Sequence, residues 1–522
     1  MTRPRRLEVA LRVGAVLAMV AVALLLVAVA PRDAHADEAL LPDEAAGDVD
    51  ADVEMDVDPT DTGVAAVGAE PRGSALVDAL DGYLADAFPA SGLPGLAVAV
   101  VDANGVRYLG TCGDVDGADE TFLIGSLSKS LCAVAVMQLV EDGLVDLDAP
   151  AALYAPEYAT PPEVTVRSLL NQTSGFGYFD ALADARVGES AGEFSYANAN
   201  YDLLGRIVED VSGEDYGTYL REHVFDALGM DDTSVAGEPA RAAEAPGHRG
   251  WFGLDVADGF EHEKGDGAWG GPASGYVRAS ISDMASYLQM YLNSGEGALS
   301  AASVHQMVFS RVPDPDGDTY YGFGWTTYNW DDGELVMSHD GQVENYVSRM
   351  CVIPGRELGV VVLANANDEF GGNASFFQLA DDVTSLAVGG VATGVDAGAR
   401  AATHAVYNAV YLLVVGLAAA PLVGVARGSW RRRWVAAGAD TGADRRRELV
   451  LPAAFLHVAV PVFLLGLPGG LGMRWQDFAD FYPDQTLVLL ACVALLLAGG
   501  VAKVAVALRA CHPGLRVTDD CW

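Results

Sequence analysis

The chain has 522 residues, 51% of them apolar and 20% charged, with a formal net charge of −41 at pH 7. An excess of that sign excludes binding driven by phosphate neutralisation, so nucleic acid is not an expected partner. Six cysteines without a CxxC pair or a zinc spacing exclude a disulfide framework and a structural metal site; no cofactor is expected.

The chain opens with MTRPRRLEVALR, continues into the apolar run VGAVLAMVAVALLLVAVA, and reaches Ala34–His35–Ala36. Residues 1–36 read as a signal peptide cleaved before Asp37, or as a membrane anchor if uncleaved. Residues 37–74 are acidic and rich in Ala, Gly and Pro. The stretch DVDADVEMDVDPTDTG lacks the glycine turn and closing glutamate of a calcium loop, which leaves a solvated linker.

From 75 to 390 the pattern mixes strand and helix signals. GLAVAVVDANGVRYLGTCG predicts a hairpin turning at Asn104–Gly105. FLIGSLSKSL starts a helix at Ser126, predicted to run to a C-terminal cap at Gly143. FSYANANYDLLGRIVEDVSG predicts an amphipathic helix with Leu203, Leu204, Ile207 and Val208 inward. NYVSRMCVIPGRELGVVVLANA predicts a second hairpin, turning at Pro354–Gly355, and NASFFQLADDVTSLAV a closing amphipathic helix.

After a linker at 391–404 the chain changes in kind. The runs 405–425, 449–471 and 486–508 each suffice to span a bilayer. Arg431–Arg433 and Arg445–Arg447 place the loop 426–448 in the cytoplasm. The region 75–390 is then expected outside the cell, tethered to the cell membrane and its lipid, with the C-terminus inside. Lys503, near the inner end of the third run, is expected to snorkel to the surface.

Only Lys129, Lys264 and Lys503 are lysines; the other basic residues are arginines. Arginine is never deprotonated in proteins, whereas a desolvated lysine can act as a base. Ser126 stands three residues before Lys129, on the same helical face. The pair therefore reads as a nucleophile with its base, and the Ser126 N–H at a helix start as an oxyanion donor. Tyr196 beside a lysine is expected to have a depressed pKa and share the proton transfer, and Asn198 to hold Lys129 or a substrate amide. In VMSHDGQVENYVSR, Gly341 is expected to let a substrate backbone approach, next to His339 and Asp340, with the Gln342 N–H as the second oxyanion donor.

Read in order, Ser126-x-x-Lys129, Tyr196-x-Asn198 and His339–Asp340–Gly341 resemble the site motifs of the serine beta-lactamase and penicillin-binding-protein-like family, in its class C, D-peptidase and esterase branch. VTVRSLLNQTSGFG, VFDALGMDDTS, GYVRASISDMASYL and YGFGW also have counterparts there. The resemblance covers about 75–390 and implies an α/β (α+β) fold, in which an antiparallel sheet flanked by helices carries an inserted helical subdomain. It implies Ser126 as the acyl-forming nucleophile, Lys129 and Tyr196 as its activators, Asn198 as a positioning group and His339 in the third motif. Gln172 and Ala227 depart from the family's usual His and Pro. His-Asp-Gly replaces the Lys-Thr-Gly usual in lactam-hydrolysing members, and an anionic Asp340 is expected to repel a substrate carboxylate.

The expected activity is hydrolysis of a small ester, amide or peptide, with a beta-lactamase or D-Ala-D-Ala carboxypeptidase as one alternative. A non-catalytic binder of cell-wall peptides is another. Gly188–Glu189–Ser190–Ala191–Gly192 matches a nucleophile elbow but lacks the apolar strand before it and the helix after it. HEKGD at 262–266 lacks the second histidine of a zinc protease, and DPDGD at 314–318 reads as a turn.

Overall fold

A computed structural model describes residues 73–315, 317–439 and 443–511. The leader, all but the end of the acidic linker, and Asp316 of the DPDGD stretch lie outside the described residues. The sheet comprises β1 (Gly95–Asp102), β2 (Gly105–Gly113), β3 (Val312–Pro313), β4 (Tyr320–Tyr321), β5 (Thr326–Asn329), β6 (Leu335–Val343), β7 (Tyr346–Ile353) and β8 (Leu358–Ala364). Their spatial order is β2-β1-β8-β7-β6-β5-β4-β3 and each neighbouring pair is antiparallel. The hairpins predicted at Asn104–Gly105 and Pro354–Gly355 thus meet at the β1–β8 pairing. The sheet is closed from the two ends of the domain, and the helical segment between β2 and β3 is the insertion.

Strand periodicity sends alternate side chains to opposite faces, and here both faces are covered. In β1, Ala97, Ala99 and Val101 join a core with α2 (Ser128–Glu141), α3 (Asn198–Ser212) and α4 (Ile281–Leu292). Leu96, Val98 and Val100 join a second core with α1 (Ser74–Ser91) and α5 (Asn373–Ala387). That double burial explains why β1 and β8 read as unbroken apolar runs. Leu76, Leu80 and Leu84 of α1 recur at helical spacing. Each such buried leucine is worth roughly 1.5–3 kcal/mol relative to exposure.

The helix predicted from Ser126 begins two residues later. Gly125–Leu127 is a 3₁₀ turn and α2 proper starts at Ser128. All of Ser128–Met137 is buried, as expected for a helix threaded through a core. It ends at Glu141, with Gly143 in the left-handed region at φ 70°. Cys112, Cys132, Cys351 and Cys492 are free thiols.

The C-terminal unit is helical, and three of its helices are long and apolar enough to cross a membrane: Ala399–Ala426, Glu448–Leu465 and Pro483–Ala510. Two sequence readings change here. The segment taken as a loop at 426–448 is mostly helical, as Ser429–Ala439 and the start of Ala443–Ala454. Lys503 does not simply snorkel. Its Nζ lies 2.7 Å from His457 Nε2 and over the Trp430 ring, while His457 Nδ1 donates to Leu496 O at 2.5 Å. A buried imidazole between helices offers the ammonium a partner inside the unit, which the hydropathy pattern does not show.

Candidate active site

Three elements converge on Ser126. The first is the turn that carries it. Ser128 Oγ donates to Gly125 O at 2.7 Å and accepts from the Val277 N–H at 3.2 Å, while Ser348 Oγ donates to Ile124 O at 2.8 Å. The turn is therefore fastened on both sides. Gly125 has φ 57° and faces β6, where a Cβ would lie 2.5 Å from Gln342 N and 2.8 Å from Gly341 Cα. A Cβ on Gly341 would in turn meet Ile124 O and Ser348 Oγ at 2.2 Å. Gly341 was read as room for a substrate backbone. Its missing side chain instead admits the chain's own Ser126 turn. The same contact brings the Gln342 amide against that turn.

The second element is Lys129, which has no exposed surface. Its Nζ lies 3.0 Å from Ser126 Oγ, 2.8 Å from Asn198 Oδ1 and 2.7 Å from Ser274 O. Three acceptors match the three protons of an ammonium. Burial nevertheless pulls its pKa well below the ordinary lysine value, opposed by the charge of Asp202. A lysine so placed can release a proton near neutral pH.

The third element is the segment leading into α3. Ser126 lies near enough to the Tyr196 phenol to favour its ionised form slightly, and Lys129 Nζ sits 4.7 Å from the Tyr196 ring centroid. The expected depression of the Tyr196 pKa does not occur. Burial raises it well above the ordinary value, and the neighbouring Tyr321 adds to the rise, so the phenol rests protonated. Lys129 is placed over the ring, and desolvation wins.

Gln172 holds this segment in register, a role its sequence did not announce. Its Oε1 accepts from the Ala197 N–H at 3.0 Å and from Asn200 Nδ2 at 2.5 Å, and Asn200 Oδ1 accepts from Ser174 Oγ. It does so from a left-handed backbone, φ 59°. Ser274 also escaped notice because its contribution is a carbonyl, which every residue has.

Strand β6 separates the third motif into two faces. His339 and Gly341 face Ser126. His339 Nδ1 donates to Asp340 O at 2.7 Å and Nε2 meets the Tyr321 hydroxyl at 3.2 Å. Asp340 and Gln342 project from the other face. Asp340 accepts from Arg349 Nε at 2.5 Å and Nη2 at 2.8 Å, Arg349 also pairs with Asp381 of α5, and Gln342 Oε1 accepts from Asn373. The expectation that Asp340 faces a substrate carboxylate is therefore corrected by the two-residue period of the strand, whereas the Gln342 N–H, the part of that residue the sequence singles out, stays beside the Ser126 turn.

Tyr178, Phe179 and Trp269 form an aromatic wall beside Tyr196, with ring centroids 4.7–6.2 Å apart, and Trp269 Nε1 donates to Tyr178 O at 2.7 Å. Ser190 lies in a turn with neither strand before it nor helix after it. Among the described residues no group of three or more His, Cys, Asp or Glu side chains is placed to hold a metal ion.

The Beta-lactamase family model matches residues 76–382. The chain belongs to the beta-lactamase family. Members of this family are serine hydrolases. The family chain is 31% identical over 324 residues to penicillin-binding protein 4 of Amycolatopsis lactamdurans, covering 52% of this chain and 81% of the relative. It is 26% identical to protein flp of Staphylococcus aureus strain MW2, covering 47% of this chain and about half (53%) of that relative. The octameric penicillin-binding protein homologue of Pyrococcus abyssi shares the fold, with a TM-score of 0.51 and 24% identity over 60% of this chain and 78% of that one.

Proposed function

We propose that the chain is a membrane-tethered serine hydrolase that forms an acyl-enzyme on Ser126 and acts on neutral esters or amides. The observation that carries this reading is the buried Lys129 ammonium 3.0 Å from Ser126 Oγ, on a lysine whose pKa burial has lowered. In its amine form Lys129 takes the Ser126 proton as Oγ attacks a carbonyl carbon. The Ser126 and Gln342 amides receive the developing oxyanion. Tyr196, protonated and near Ser126, hands a proton to the departing alkoxide or amine and is reprotonated through Lys129. Water then cleaves the acyl-serine by the reverse sequence, releasing a carboxylic acid. Asn198 holds Lys129 throughout.

The preference for neutral substrates rests on His339. The third motif supplies an imidazole with both nitrogens engaged, where a lysine would supply a fixed cation for a substrate carboxylate. The likeness to a penicillin-binding protein favours a second reading, a penicillin or a D-Ala-D-Ala peptide as substrate. The arginines of 427–447 and the acidic, aromatic segment 474–485 support a cytoplasmic placement of the former and an external catalytic domain.

The test uses the whole chain in detergent micelles. A fluorophosphonate probe should label wild type and Ser190→Ala but not Ser126→Ala, and kcat/KM should be higher for a neutral aryl ester than for a penicillin. Labelling that survives Ser126→Ala rejects the nucleophile. Faster penicillin cleavage replaces the substrate reading by the second one. In intact cells, an impermeant thiol reagent should reach Gln476→Cys and not Asp440→Cys in a chain stripped of its own cysteines; the opposite pattern rejects the topology.

A further inference from the structure

The HEKGD stretch, dismissed as a zinc motif, returns as part of the electrostatics behind Lys129. His262 Nδ1 lies 2.8 Å from Glu344 Oε1 and Nε2 lies 3.1 Å from Gly270 O. A carboxylate and a carbonyl only accept, so both ring nitrogens carry protons and His262 is an imidazolium. It stacks on Tyr276 at 3.8 Å, and the Tyr276 hydroxyl donates to the buried Glu344 at 3.1 Å.

Gly270 leads directly into Gly271, where a Cβ would lie 3.1 Å from Asp202 Oδ1. Asp202 is four residues after Asn198 on α3, hence on the same face, one turn along. Its Oδ1 is buried and makes no close hydrogen bond, while the Ser274 side chain and the Gly271 N–H stabilise the carboxylate from nearby. A carboxylate oxygen in that position is costly unless nearby charge compensates it. Two cations, Lys129 and His262, act on it. Lys129 is reached through Asn198 and Ser274, whose carbonyl takes the lysine and whose side chain pairs with Asp202. His262 is reached through the Gly270–Gly271 turn.

We propose that Asp202 and His262 are positioning residues that set the protonation of Lys129, in a buried row of alternating charge running Glu344, His262, Asp202, Lys129. The proposal rests on Ser126 and Lys129 being the reacting pair. Asp202 holds the proton on Lys129 in the resting site, and His262 limits that hold by drawing on the same carboxylate.

The directions of the shifts agree. Burial lowers the Lys129 pKa and Asp202 raises it, while burial raises the Asp202 pKa, with Lys129 and His262 lowering it. Of the other groups around Lys129 only Cys132 acts on its pKa, in the same direction as Asp202 and more weakly. From its own helix, the Cys132 thiol is pushed up to about 12 by burial. From the α3 side, Tyr196 and Tyr201 are phenols raised well above their ordinary value. Tyr216, raised by burial, faces Cys132. On the sheet side His339 lies 6.3 Å from the Tyr196 ring, and Asp340 is taken up by Arg349.

The experiment follows the rate at which a fluorophosphonate labels Ser126 in the whole chain, from pH 5 to pH 10. The acidic limb of that profile reports loss of the Lys129 proton. Asp202→Asn removes the anion and should move the limb down by about 1 pH unit, the scale of a neighbouring charge. His262→Gln leaves Asp202 undivided and should move it up. Opposite displacements support the proposal, because a merely structural role would lower the plateau and leave the limb in place. Limbs that stay put, or move together, overturn it. If Asp202→Asn does not accumulate as folded protein, the His262→Gln arm decides alone: an upward limb supports the proposal and any other overturns it. Absence of Ser126 labelling in wild type at every pH overturns the hydrolase reading and this proposal together, whereas labelling with unmoved limbs overturns only the latter.

Discussion

The two faces of β6 carry charge in different ways. On the Ser126 side stand groups whose protons can move: Lys129 held by hydroxyl, amide and carbonyl oxygens, Tyr196 as a neutral phenol, and His339 between a carbonyl and a hydroxyl. On the other side Asp340 and Asp381 share Arg349, whose charge cannot be given up. A residue apart along one strand, the same backbone thus serves an adjustable site and a permanent clamp. Desolvation acts on both faces. It destabilises charge where the partners are neutral, and it is offset where fixed opposite charges are in contact.

The sharpest way to break this contrast is to give the front face the chemistry of the back. Lys129→Arg keeps the positive charge but removes the base, and kcat on an aryl ester should fall by the general-base term, about 10²–10⁴-fold. Near-normal turnover would mean that charge alone suffices. The converse change is Arg349→Met, which strands two half-buried carboxylates. It should cost stability, by up to about 3 kcal/mol, the lower end of the range for a fully buried pair, read as a lowered denaturation midpoint, with a smaller effect on kcat per folded molecule. An unchanged midpoint would show that the clamp is ornamental.

A third test lies at the end of β6. His262 has a pKa raised by Glu344, Gly270 O and Asp202 despite its burial. The folded value exceeds the unfolded one, so the stabilisation is fully present below the unfolded value near 6.5 and fades as pH rises through the folded value. His262→Gln should therefore be less stable than wild type at pH 5.5, by roughly 1.5–3 kcal/mol for a charge-assisted hydrogen bond, and the gap should narrow by pH 9. A gap that widens with pH would reverse the assignment.

The smallest expected effect concerns insulation between the faces. An exposed carboxylate about 4 Å from that of a penicillin would repel it by roughly 4 kcal/mol at an effective dielectric near 20. Asp340 points away and is paired, so Asp340→Thr should change the ester-to-penicillin ratio of kcat/KM by less than about threefold, far below that bound. His339→Lys, on the front, should move the ratio toward penicillin. A large effect of Asp340→Thr alone would show that the sheet does not screen the site.

Much of this was legible in the chain before any coordinates. The hairpin at Asn104–Gly105, the helix after Ser126 ending near Gly143 and the amphipathic helix after Asn198 are local features. Turn chemistry, capping and apolar periodicity specify them within a few residues. The closeness of Ser126 and Lys129 is likewise a matter of helical spacing, and the three apolar runs declare themselves by length and composition.

What tertiary structure alone decided depends on contacts between distant segments. Gln172 meets Asn200, Ser274 lends a carbonyl to Lys129, and His262 finds Glu344 across 82 residues. None of these partners shares a period or a motif with the other. The sequence pointed to a depressed Tyr196 pKa because it shows the nearby cation and not the burial, which is a property of packing and reverses the direction. The sequence placed His339 and Asp340 side by side in one motif, but strand geometry sends neighbours to opposite faces. Only the register of β6 against β7 and the Ser126 turn decided which of the two would meet the nucleophile.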